Sequence, residues 1–150
     1  MTDTSHDIRT LNSLIATTID SVDGYRTSAE AVENPRFAEL FTARASERSS
    51  VTEQLRAEVS KLGGNPEDDG TLLAAGHRVF VNLKGAVTSR DDQAIIAEVE
   101  RGEDHIKAKY EDALKDGDLA PDTRNLIQTA YGSVRAGHDQ MRDLKHSLTA

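Results

Sequence analysis

The segment "EVERGEDHIKAKY", residues 98–110, sets a carboxylate where a helix would bury it. At helical spacing Ile96, Val99, Glu103, Ile106 and Tyr110 fall on one stripe, with the acid at its middle. A charge in an apolar stripe needs a counter-ion, a metal or a proton, because desolvating it alone is prohibitive. Two kinds of partner are written elsewhere in the chain. Arg44 and Arg48 share a stripe with Phe37, Phe41, Val51 and Leu55, and a guanidinium can grip a carboxylate with two parallel hydrogen bonds. His138 lies between Val134 and Met141 on the inner edge of another periodic segment, where an imidazole is either a hydrogen-bonded core residue or a ligand. The neighbouring Asp104 and His105 do not extend the motif, since consecutive helical residues diverge by roughly 100°. His105 is expected to be solvated.

These residues need long helices to carry them, and the punctuation of the chain supplies the limits. Leu11, Ile15, Thr18, Val22, Tyr25, Ala29 and Val32 step by four and three, which predicts a first helix over about 7–33. Asn34 and Pro35 end it and open a second, about 35–62, since Asn caps well and Pro suits the first helical position. In "KLGGNP" either Gly63 or Gly64 can take the left-handed cap, and Pro66 forbids continuation. A shorter helix is expected over about 71–88, with Leu73, Gly76, Phe80, Leu83 and Val87 on one face. Ser89 and Asp92 have capping-box spacing ahead of the next long helix, about 91–115, which Gly117 breaks. The last runs over about 121–148 with the seam Ile127, Ala130, Val134, Gly137, Met141, Leu144 and Leu148.

No window alternates like a strand, so the fold class is all-α and the 150 residues are read as one domain. Short loops after the first and third long helices make antiparallel hairpins, while nearly thirty residues between the second and third are enough for a long crossover. Gly24, Gly102, Gly132 and Gly137 fall inside helices, where each costs about 1 kcal/mol relative to Ala. Close helix crossing is the expected reason, and room for a ligand beside the backbone is the alternative.

Composition removes several function classes. With no cysteine there is no thiolate site or disulfide framework. A net charge of −8 with dispersed basic residues opposes nucleic-acid binding. Few aromatics argue against a base-stacking surface. The polar start "MTDTSHDIRT" lacks a signal-like apolar run, and nothing approaches a membrane span, so a cytoplasmic protein is expected. Neither a phosphate loop nor a nucleophile–base–orienter arrangement can be read from the spacing.

The stretches "LNSLIATTIDSVDGYRTSAEAV", "RASERSSVTEQL", "KLGGNPEDDGTL", "LKGAVTSRDDQAIIAEVERGEDHIKAKYEDAL" and "HDQMRDL" together resemble a family of small bacterial four-helix-bundle proteins. It is classed as a domain of unknown function within the ferritin-like superfamily, and "RDD…ERGEDH…YEDAL" is the most specific block. The resemblance implies an antiparallel ferritin-like bundle, a long crossover carrying an extra short helix, and a link to stress physiology. The superfamily often holds two metal ions between a Glu from each of two helices and a Glu-x-x-His from each of the other two. Carried over residue by residue, Glu103 matches a lone Glu, seven before Tyr110. Thr18 stands seven before Tyr25 where the other Glu would be. Glu47 can be a motif Glu, but Ser50 then holds the His position; in the alternative register the two positions are Arg48 and Val51. His138 matches a motif His, with Arg135 in the Glu position.

Three ligand candidates survive this transfer: Glu47, Glu103 and His138. The leading expectation is a non-enzymatic bundle needing no cofactor, in which an Arg44, Arg48, Glu47, Glu103 and His138 cluster replaces the metal site. The alternative is a protein that binds iron or another divalent ion with Glu47, Glu103 and His138, in ferroxidase fashion. In "RVFVNL", Val79 and Val81 could mark a homodimer contact on the crossover helix, or Val81 could be a single exposed valine of the ordinary kind.

Overall fold

Asn34 and Pro35, the glycines after Leu62 and the "KDGDLAP" break all become helix boundaries in the computed structural model, which describes residues 4–69 and 91–149. The helices among these residues are α1 (Ser5–Ala31), α2 (Pro35–Lys61), α3 (Asp92–Leu114) and α4 (Pro121–Thr149). No strand occurs among the described residues. The expected helix over 71–88, and with it Val79 and Val81, lies outside them.

The ends are set by local chemistry. Asn34 Oδ1 accepts the Arg36 N–H at 3.0 Å, with Pro35 in the first helical position. At the far end of α2, Gly63 has φ +87° and takes the left-handed position. The Gly64 N–H then reaches back to Val59 C=O at 2.9 Å, and the Gly63 N–H to Ser60 C=O at 3.0 Å. Gly64 is needed for a different reason, since a Cβ there would sit 2.8 Å from the Ile8 side chain. The N-cap of α3 is Asp91, whose carboxylate accepts the Gln93 N–H. Asp92, expected in a capping box with Ser89, instead accepts the N–H groups of Glu33 and Asn34 at 2.9 and 3.0 Å, and Ser89 lies outside the described residues.

Helices α1 and α2 pack together, as do α3 and α4, α1 and α3, and α2 and α4, so α2 and α3 occupy opposite corners of the bundle. Side-chain bonds fix the directions. The start of α3 touches the end of α1 through Asp92, and His6 at the start of α1 meets Asp116, just beyond the end of α3. Those two helices are antiparallel. So are α2 and α4, since Arg44 bonds Gln140 while Glu47 bonds Ser133. Helix α2 ends beside the start of α1, where Thr4 Oγ1 donates to Leu62 C=O, whereas α3 begins at the opposite end.

The apolar stripes meet inside as two clusters. One gathers Leu11, Ile15, Leu55, Ile106, Tyr110 and Ile127. The other gathers Tyr25, Phe41, Ile95, Ile96 and Met141. Along every helix the two are separated by a polar or small residue at the same level: Thr18 and Ser21, Arg48, Glu103, and Gly137. The functional question concerns this layer. Among the described residues, no helix is long and apolar enough to cross a membrane.

Candidate functional site

Arg48 and Glu103 are 0% and 2% exposed, and each belongs to the buried stripe of its own helix. Because α2 and α3 stand at opposite corners, only long side chains can meet across the centre. Arg48 Nη1 donates to Glu103 Oε1 at 2.7 Å and Nη2 to Oε2 at 2.6 Å, a parallel two-bond pair. Nη1 also donates to Ser21 Oγ on α1, and Nη2 reaches Val134 C=O on α4 at 3.4 Å. One guanidinium thus touches all three other helices. Burial is the largest single influence and pulls Arg48 toward the neutral form, but the Glu103 charge, its hydrogen bonds and the two tyrosines together exceed it, and the net shift is upward.

The space for this pair comes from α4. A Cβ on Gly137 would stand 2.5 Å from Arg48 Nη2 and 3.0 Å from Glu103 Oε2. Gly24, Gly102 and Gly132 have nothing within 4 Å of such a Cβ among the described residues, so crossing of the described helices does not account for them. Gly137 fits neither expected reason, because what approaches its backbone is a side-chain ion pair.

Two tyrosines complete the layer. The Arg48 guanidinium lies over the Tyr25 ring, 5.7 Å from its centroid. Burial first, and then the negative charge of Glu103, holds the Tyr25 phenol well above its ordinary range. Among the described residues, neither its hydroxyl nor Arg48 Nε meets a partner at hydrogen-bond geometry, although Glu103 lies close enough to influence the phenol. Tyr110, pushed up to about 12 chiefly by burial, sits 2.8 Å from Thr18 Oγ1. Thr18 gives its proton to Leu14 C=O at 2.6 Å, so Tyr110 donates to Thr18. The threonine at the ligand position of α1 therefore serves as a hydrogen-bond acceptor for a buried phenol.

The other sequence candidates go elsewhere. Glu47 is exposed and accepts from Arg44 Nη1 at 2.8 Å and from Ser133 Oγ at 2.6 Å. Arg44, half-buried, also donates from Nε to Gln140. His138 is buried, but its Nε2 faces Asp104 Oδ1 at 2.7 Å and its Nδ1 faces Asp139 Oδ1 at 3.1 Å. Among the described residues the carboxylate and imidazole groups whose ligand atoms converge are Glu100, Asp104 and His138, and Glu67, Asp68 and Asp69; Glu47 and Glu103 belong to neither. His105 is exposed, as its helical phase predicts.

Sequence reasoning missed several polar residues. Asp7, buried at the start of α1, accepts from Thr123 Oγ1 at 2.8 Å and from the Ala120 N–H, tying the first turn of α4 and the residue before it to α1. Arg124 closes the other side of that turn by donating to the Leu114 and Asp116 carbonyls at the end of α3. Asn12 holds the loop after α2, accepting the Glu67 N–H and donating to Asn65 C=O. For Asp7, its place among acids that a first helical turn favours concealed its tertiary role.

The architecture and its centre define a class: among the described residues, an all-helical bundle of four long helices whose core is crossed by a buried ion pair. The family model described as "Domain of unknown function (DUF2383)" matches residues 6–116, and the chain belongs to that family. The matched span holds α1, α2 and α3, with Arg48 and Glu103, and stops before α4 with Gly137 and His138. No curated protein matches the chain.

Proposed function

We propose that the protein is a ferritin-like bundle whose central metal position is taken by the Arg48–Glu103 pair, and that its role is structural or interactive rather than catalytic. The observation that carries this reading is the two-bond pair itself, with Arg48 wholly buried. A fixed guanidinium is the wrong neighbour for a cation, since like charge opposes binding where there is little solvent to screen it. Opposite placement of the end of α2 and the start of α3 supports a long crossover. The link to stress physiology rests on the family resemblance alone. A cytoplasmic location and no nucleic-acid partner belong to the same proposal, and the net charge of −8 supports the second.

The competing reading, iron bound by Glu47, Glu103 and His138, requires Arg48 to leave Glu103 and Glu47 to leave Arg44 and Ser133. Anaerobic addition of Fe(II) to the full chain, followed by air, separates the two. The proposal expects no ferric-oxo absorbance attributable to Glu103. An absorbance that Glu103→Gln abolishes overturns it. A homodimer through Val79 and Val81 is a further part of the proposal; a chain that sediments as a monomer at the highest soluble concentration removes that part.

A further inference from the structure

Glu100 and Asp104 stand four residues apart on α3, so they share a face on successive turns, and His138 approaches them from α4. One ligand atom from each lies within 4.8 Å of the other two. The imidazole is the informative member. A neutral ring has one N–H and one lone pair. With the N–H on Nδ1 and directed at Asp139 Oδ1, 3.1 Å away, the Nε2 lone pair faces Asp104 Oδ1 at 2.7 Å. The other neutral tautomer sets the Nδ1 lone pair against Asp139 instead, so either a ring protonated at both nitrogens or a cation reconciles the imidazole with its two carboxylates. A carboxylate behind the far nitrogen is also the arrangement that orients a metal-bound imidazole and raises its basicity.

We propose that Glu100, Asp104 and His138 form a rim site for one divalent cation of the zinc class, separate from the Arg48–Glu103 pair and resting on the reading in which His138 is no ligand of the centre. The His138 and Glu100 side chains are 10% and 14% exposed, so two ligands are held by packing, while Asp104, 57% exposed, is the flexible one through which an ion arrives. Imidazole with carboxylates selects zinc-like ions over calcium or magnesium, and water completes the shell. The other converging group, Glu67, Asp68 and Asp69, offers three successive acids and no imidazole. Lys145 Nζ lies 3.4 Å from Glu100 Oε2 and competes for that carboxylate, and Arg142 Nη1 lies 3.6 Å from Asp139 Oδ1 and weakens the orienting group. The site is therefore tuned by displaceable basic chains.

Calorimetric titration of the full chain, stripped with chelator and dialysed, with Zn(II) tests the assignment. The expected result is one ion per chain. Asp104→Asn and Glu100→Gln each weaken binding by at least about tenfold. Lys145→Gln strengthens it. Co(II) loaded in place of Zn(II) gives a visible spectrum that His138→Gln changes, a signature of nitrogen ligation that a loss of stability would not imitate. No binding by the unaltered chain, or less than a tenfold change in the two carboxylate variants, overturns the site.

Discussion

Removing the Glu103 carboxylate leaves the Arg48 guanidinium in the core with no anion and no access to water. Glu103→Leu is expected to cost about 3–5 kcal/mol, whereas Arg48→Met with Glu103→Leu together should recover most of that loss by joining the two apolar clusters. Urea unfolding of the two single variants and the double variant measures both, and an additive double variant would contradict a direct pair. The glycines give a matched contrast. Gly137→Ala drives a Cβ into Arg48 Nη2 and should destabilise by about 1–3 kcal/mol, while Gly132→Ala, which meets nothing, should stabilise by roughly 0.5–1 kcal/mol. Tyr110 adds a pH signature. Its phenol is raised to about 12 in the folded chain from 10.0, so the unfolded state loses the proton first. The contribution is whole below pH 10 and vanishes as pH climbs toward 12. Tyrosinate absorbance of the folded protein should therefore lag behind that of the chain in urea. Coincident titrations would show Tyr110 to be solvated.

Among the described elements, the end of α1, the start of α2 and the end of α2 were legible because each is marked locally, by Asn34-Pro35 and by Gly63. The stripe through Glu103 was legible for the same reason: its helical phase alone buries it. Which arginine pairs with it was not, because Arg44 and Arg48 share a stripe and only the diagonal placement of α2 and α3 selects Arg48. The roles of Ser21, Asp7, Asp92 and Asp104 were out of reach, since each is defined by a residue on another helix or loop. Asp7 is the clearest instance at this scale. Asp7→Ala takes the acceptor from the Ala120 N–H and strands the buried Thr123 hydroxyl, and should cost about 1–3 kcal/mol in urea unfolding. A variant as stable as the parent would show that these two donors are satisfied by other means.

For the molecule as a whole, a polar layer divides the core, and on the proposed reading the described helices converge there around an ion pair instead of a bound ion. A chain purified without added metal should accordingly keep its full helical circular dichroism in excess chelator, rim site included, because Glu100, Asp104 and His138 join only α3 and α4, which also pack through apolar side chains. Anomalous diffraction from crystals soaked in Fe(II) or Zn(II) is the most direct test of the centre. The account predicts no peak within bonding distance of Glu103, with Arg48 still gripping both of its oxygens. A peak at that carboxylate, with the guanidinium turned away, would contradict it.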